Sequence, residues 1–247
     1  MRAAIIAMML TFGSQAGAEC GNLCDYGWWK TATEADLQAE LDGGADVTAR
    51  NEYGYTPLHL AAEFGTPAYI QVLLDAGAGV MARDEDGSTP LHWATQHGNP
   101  ANIQALLAAG ADVMARNQVG TTPLHLAAWN GTPANIQALL AAGADVMSRA
   151  EDGHTPLHIA ARWGTPPNIK ALITYGADVM ARNQGGRTPL HWAARWGTPP
   201  NIQALLDAGA DAKAKNEEGK TPWDAAQEND KLKGTKAYWA LNDAQYN

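Results

Sequence analysis

The chain has two cysteines and two phenylalanines among 247 residues, and no run of 18 apolar residues. The last absence excludes a membrane-spanning helix, which needs about 20 consecutive apolar residues. Basic residues are also scarce: 17 Lys and Arg stand against 26 Asp and Glu, a formal net charge of −9. That balance argues against a nucleic-acid partner, whose binding depends on neutralising phosphates. Catalytic signatures are missing too. There is no Gly-x-Ser-x-Gly, no His-Glu-x-x-His and no phosphate-binding glycine loop, the spacings that build a nucleophile elbow, a zinc protease site and a nucleotide cradle. Cys20 and Cys24 have no second ligand pair with which to hold zinc, and no thioredoxin-like strand pattern surrounds them. These absences predict a protein that is not an enzyme and carries no cofactor and no metal.

What the chain has is a repeat. Thr-Pro recurs at Thr56-Pro57, Thr89-Pro90, Thr122-Pro123, Thr155-Pro156, Thr188-Pro189 and Thr221-Pro222, a step of 33 residues each time. The central copy reads Thr122-Pro123-Leu124-His125-Leu126-Ala127-Ala128, closes at Gly131, restarts at Thr132-Pro133 and ends at Gly143-Ala144-Asp145. Thr122 is an N-cap, and Pro123 sits at the first helical position, where no N–H is needed. Gly131 ends that helix, and Thr132-Pro133 starts a second one with Ile136, Leu139 and Leu140 as its apolar stripe. Helices of about ten residues are marginal alone. Each hairpin has to bury its face against copies of itself, and a fixed period of this size means a stacked solenoid.

Thr-Pro-Leu-His followed by Ala at this period resembles the ankyrin repeat, from about Trp28 to the C-terminus. The resemblance implies an all-α solenoid of stacked helix-turn-helix units with β-hairpin-like finger loops. Full units run 51–83, 84–116, 117–149, 150–182 and 183–215, with an N-terminal cap over 19–50 and a C-terminal capping repeat over 216–247. In the first cap, Asp25 to Thr31 predicts a short helix, and Thr33-x-x-Asp36 reads as a capping box before Leu37 and Leu41. In the last, Trp223-Asp224 stands where other units have Leu-His, and Ala225 to Tyr246 reads as a closing helix pair with a more polar outer face.

Residues 1–18 read as a secretory signal peptide: Met1-Arg2 is a basic head, Ala3 to Phe12 an apolar core and Ala16-Gly17-Ala18 a small-residue cleavage site. A buried N-terminal helix is the alternative. Cleavage near Ala18 leaves Glu19 before Cys20, the wrong residue for lipid attachment. The product is then an exported protein, periplasmic or secreted, with one more net negative charge once Arg2 is lost. In that compartment Cys20 and Cys24 predict one disulfide, a staple worth about 2 kcal/mol on the loop-entropy estimate.

Register assigns the core. Leu58, Leu91, Leu124, Leu157 and Leu190 share one first-helix position, with Ala61, Ala94, Ala127, Ala160 and Ala193 three residues on. Ile70, Ile103, Ile136, Ile169 and Ile202 do the same on the second helix. His59, His92, His125, His158 and His191 form a ladder that tempts a metal or acid–base reading. Each lies three residues after a capping Thr, no carboxylates converge on it, and in the ankyrin family this His is structural, bonding the helix start and the next unit's loop. Asn102, Asn135, Asn168 and Asn201, a ladder that begins with Tyr69, read as hydrogen-bonded bridges between units.

Function is sought in what varies. The ankyrin resemblance places partners on the fingers and the exposed face of the first helix, the concave face. After the finger glycine stand Tyr55, Ser88, Thr121, His154, Arg187 and Lys220. Along the helix come Glu63-Phe64, Gln96-His97, Trp129-Asn130, Arg162-Trp163 and Arg195-Trp196, while Trp93 and Trp192 replace the aliphatic Leu60, Leu126 and Ile159. The candidate partner-binding residues are Trp93, Trp129, His154, Arg162, Trp163, Arg187, Trp192, Arg195 and Trp196, a set rich in the residue types of binding hot spots. The alternative is that these Trp pack across neighbouring units, as Trp163 over Trp196. The C-terminal half of this surface is locally basic and aromatic, suited to an acidic partner or an anionic glycan.

A second candidate is a finger stripe of one cation per unit: Arg50, Arg83, Arg116, Arg149, Arg182 and Lys215. Glu52, Glu85, Glu151 and Glu217 offer ion pairs to four of them, whereas Arg116 and Arg182 face Gln118 and Gln184. A solvated charged face is the plainer reading. Two functions follow: a monomeric protein-interaction scaffold of the bacterial envelope, or an envelope glycan- or small-ligand-binding protein that stacks its ligand on Trp163, Trp192 and Trp196.

Overall fold

The computed structural model describes residues 21–96, 99–244 and 246. The segment 1–18 read as a signal peptide, Cys20 and His97 lie outside the described residues. The described chain is all-helical, with no strand. Two short 3-10 turns, Gly21–Cys24 and Trp28–Lys30, precede α1 (Glu34–Asp42). The helix expected over Asp25 to Thr31 is thus a single 3-10 turn, held by Asp25, whose carboxylate accepts from the N–H groups of Gly27 and Trp28 at 2.5 and 3.0 Å. The Thr33/Asp36 capping box at the start of α1 forms as read.

Five hairpins follow: α2 (Pro57–Phe64) with α3 (Pro67–Asp75), α4 (Pro90–Gln96) with α5 (Pro100–Ala108), α6 (Pro123–Asn130) with α7 (Pro133–Ala141), α8 (Pro156–Trp163) with α9 (Pro166–Thr174), and α10 (Pro189–Trp196) with α11 (Pro199–Asp207). All ten begin with Pro at the first turn, as the repeated Thr-Pro or Asn-Pro predicts. First helices pack on first helices, α2 through α4, α6, α8 and α10, and second helices form a parallel row. One continuous core runs from Leu23 to Leu241, and the Leu and Ile ladders named above are wholly buried in it.

Gly131 is needed for a different reason from the one its position suggests. Its φ of −73° is open to any residue, but a Cβ there would meet the Ala127 carbonyl oxygen at 2.7 Å and that of Thr95, in the preceding unit, at 3.0 Å. Space between units excludes a side chain. The finger glycine Gly54 has both constraints, a φ of +76° and the Glu85 nitrogen 2.9 Å from the place of a Cβ.

The closing pair is shorter and shifted relative to the reading over Ala225 to Tyr246. It consists of α12 (Pro222–Ala226) and α13 (Lys236–Asp243), joined by a turn over 227–235. Asp224 takes the place of the histidine in the cap of α12, accepting from the Thr221 N–H at 2.7 Å. Replacing the fully buried Leu124 by Ala removes contacts in the middle of the stack. We expect an equilibrium denaturation to show a loss of about 2–5 kcal/mol, the range for a buried Leu-to-Ala change.

Candidate functional site

Most of the side chains that recur at the 33-residue step bind one unit to the next. The His125 ring shows how. Its Nδ1 accepts from the Thr122 N–H at 3.3 Å and lies 2.9 Å from the Thr122 hydroxyl, while Nε2 reaches the His154 carbonyl at 3.1 Å. An N–H only donates and a carbonyl only accepts, so Nδ1 is bare and Nε2 carries the proton. His59, His92, His158 and His191 repeat this toward the carbonyls of Ser88, Thr121, Arg187 and Lys220. Burial lowers the pKa of His59, His92 and His125 to about 4 and that of His158 to about 3, and lowers that of His191 as well. These imidazoles are neutral struts.

The asparagine ladder bridges units as read. Asn102 donates to the carbonyls of Ala62 and Gly65, and Asn201 to those of Ala161 and Gly164. Tyr69 reaches Ala32 in its place at one end, and Asn229 reaches Ala194 and Gly197 at the other. The sequence reading missed Asn229, because it lies 28 positions after Asn201 and falls out of the period.

The finger cations do not form the expected ion pairs. Arg83 donates to the Gly87 carbonyl of its own finger at 2.6 Å and to the Arg116 carbonyl of the next at 2.8 Å. Arg50, Arg149 and Arg182 do the same in turn, the last ending on Lys215, and Arg116 reaches the Arg149 carbonyl. None of the carboxylates of Glu52, Glu85, Glu151 and Glu217 pairs with these cations, whose donors are taken up by the finger carbonyls. A fourth ladder went unread. Met81, Met114, Met147 and Met180 each accept, at 3.2–3.3 Å, the N–H of an aspartate 31 residues on. Its signal, methionine at a fixed step of 33, is present in the sequence.

The candidate surface divides into exposed and buried members. Trp129, Trp163 and Trp196 are 44, 53 and 37 % exposed. Two others correct the reading: Trp192 is 8 % exposed and His154 is 6 % exposed. They bury each other, the His154 ring meeting the Trp192 ring edge-on at 4.1 Å, with His154 also paired to Asp152. Trp93 is half-buried, its indole N–H donating to Asp84 at 2.9 Å. Arg187 and Arg195 are not free cations, because carboxylates of the closing repeat reach back to them: Glu218 to Arg187 at 2.7 Å and Glu228 to Arg195 at 2.5 Å.

Arg162 joins the cluster. Its guanidinium lies 4.3 Å from the Trp163 ring centre, 4.6 Å from that of Trp196 and 5.1 Å from that of Trp192. Trp163 and Trp196 therefore pack across units through an arginine rather than directly. Desolvation lowers the Arg162 pKa, and no carboxylate pairs with it among the described residues.

With stacked hairpins and a variable first-helix face described, the class is that of helical solenoid repeat proteins. A family model described as ankyrin repeats (three copies) matches residues 34–117 and 124–216, and the chain belongs to that family. Ankyrin repeats generally mediate protein–protein interaction and are typically non-catalytic. A search of curated proteins finds no match.

Five buried imidazoles whose pKa values sit below the ordinary 6.5 make stability depend on acid. Below pH 6.5 the unfolded chain takes up protons that the folded chain refuses, His59, His92 and His125 until about pH 4 and His158 until about pH 3, so stability is complete above pH 6.5 and falls as the pH drops from 6.5 toward 4. Thermal melts across that range should show the midpoint falling steeply; a midpoint that stays level would show that the ring nitrogens are not held as described.

Proposed function

We propose that the chain is a non-catalytic scaffold that binds a protein partner on the face made by its first helices and fingers, centred on Trp129, Arg162, Trp163 and Trp196. The observation that carries this is the Arg162 cluster: one cation held over three indoles, two of them exposed. Stacking fixes the guanidinium before any partner arrives, which lowers the ordering cost of binding. A partly desolvated cation without a carboxylate gains more from an acidic group on a partner than a solvated one does. The ladders hold the backbone beneath it, so the surface is preformed.

The same proposal places the protein outside the cytoplasm. The leader-like segment 1–18 would be removed near Ala18, and a Cys20–Cys24 disulfide would staple the start of the stack in the periplasm or beyond. The working state is a monomer.

Saccharide binding fits less well. It asks Trp163, Trp192 and Trp196 for open ring faces, whereas Trp192 is buried and Arg162 lies over all three. Capture from a periplasmic extract, run with the chain lacking 1–18 and with its Trp163→Ala/Trp196→Ala variant, tests the choice. A protein retained by the first bait and lost with the second supports the scaffold. Equal profiles, together with a tryptophan fluorescence shift on adding envelope saccharides, would replace it with the glycan reading.

A further inference from the structure

The arginine-bearing cluster occupies only the C-terminal half of the face. The N-terminal half has the opposite character, centred on Trp93. Both oxygens of the buried Asp84 are committed to neutral donors, the Trp93 indole N–H at 2.9 Å and the Ser88 N–H at 2.7 Å. Its charge is thus held in place with no cation against it among the described residues. The Trp93 ring meets Tyr55 edge-on at 4.3 Å, and Tyr55 stacks on Tyr53 at 5.5 Å.

Tyr55 and Trp93 form a partition between two cavities. One, of about 440 Å³, is lined by Asp84, Asp86, Gln96 and Gln118. The other, of about 560 Å³, is lined by Asp25, Tyr26, Glu52 and Tyr53. Among the described residues no Lys or Arg lines either one. The only imidazole on them among the described residues, that of His92, has both nitrogens engaged and stays neutral. The Tyr55 phenol is pushed up, first by burial and then by the charges of Asp84 and Asp86, as expected where negative potential is not cancelled.

We infer that these two cavities are a subsite for arginine side chains of the partner polypeptide, one guanidinium on each side of the Tyr55–Trp93 partition. The inference rests on the reading that the partner is a polypeptide. A metal ion is the wrong occupant, because among the described residues no three His, Cys, Asp or Glu side chains converge closely enough to hold one. An apolar ligand is the wrong occupant too, because it would strip solvent from the exposed carboxylates of Asp25, Glu52 and Asp86 and return nothing. A guanidinium suits aromatic walls with carboxylates at their edge, since its plane stacks on a ring while its fork bonds a carboxylate; a lysine ammonium does only part of this. With Arg162 at the other end, the face is bipolar. It orients a bound segment, arginines toward the first repeats and acceptor groups toward the last.

The test uses penta-arginine, penta-lysine and penta-glutamate amides, titrated calorimetrically into the protein at about 0.15 M salt, where long-range attraction to the net negative charge is screened. Two variants report on the site. Trp93→Leu places there the residue that Leu60 and Leu126 supply in other units and leaves the charge unchanged; it also removes the indole donor from Asp84, so a thermal melt accompanies it and the Glu52→Gln/Asp86→Asn variant reports without that change. Glu52→Gln/Asp86→Asn removes exposed charge from both cavities. Penta-arginine should bind more tightly than penta-lysine, and neither Trp93→Leu nor Glu52→Gln/Asp86→Asn should change the response to penta-glutamate, whose place on this face is the Arg162 end. Each variant should weaken penta-arginine about tenfold, the effect of one lost ring–cation contact of moderate strength, and Trp163→Ala/Trp196→Ala should leave it unchanged. Absence of binding, or equal binding by Trp93→Leu and the parent, would overturn the subsite; equal affinity for penta-lysine would overturn its guanidinium character. If capture of a protein partner fails while penta-arginine still depends on Trp93, the cavities stand and the scaffold reading falls. The reverse result removes the cavities alone.

Discussion

The structure depends on side chains of each unit supplying hydrogen bonds to its neighbour's backbone. A hairpin of two short helices leaves loop carbonyls and helix ends without partners, and leaving such groups unpaired under a neighbouring unit is costly. The imidazole of His125 answers this at the His154 carbonyl, Arg83 at the Arg116 carbonyl, Asn102 at Ala62 and Gly65, and Met114 at the Asp145 N–H. All four act across a unit boundary. Together with the Leu and Ile ladders they make the boundary between units, rather than the unit itself, the place where stability resides, as expected of a quasi-one-dimensional stack.

This arrangement separates maintenance from recognition. Positions that recur with the step are committed to packing or to the backbone of the next unit, which leaves the residues after the finger glycine and along the first-helix face free to differ. There the chain is polarised: Tyr53, Tyr55, Trp93, Asp84 and Asp86 at one end, Arg162 with Trp163 and Trp196 at the other. A rigid support under both ends fixes their spacing, so on the proposed reading charge and shape are presented together, and a partner would have to match the order of the groups as well as their kind.

Much of this was legible from residue order alone. Helix starts, hairpin count, core ladders and the role of the histidines follow from local rules repeated five times, and repetition makes a weak local signal strong. The misreadings cluster where a side chain chose between partners distant in sequence. Arg83 has Glu85 two residues away but bonds to carbonyls of its own finger and the next. Arg195 looked free until Glu228 from the closing repeat reached it. Trp192 and Trp163 stand four residues apart in their own repeats' frames of reference, yet one is buried against His154 and the other exposed. Asn229 does the work of the asparagine ladder from outside the period.

The sequence by itself determined the fold, because a solenoid is built from contacts between equivalent positions and their register is written in the 33-residue step. It also determined which positions were free to vary. Only the tertiary structure decided which varied residues face outward, which cations are already paired, and that Tyr55 and Trp93 from adjacent units wall two cavities. The reason is physical: exposure and ion pairing are settled between neighbouring units, where side chains about one period apart in the chain come within hydrogen-bond or ring-contact distance, and no local pattern records which of the available partners lies nearest.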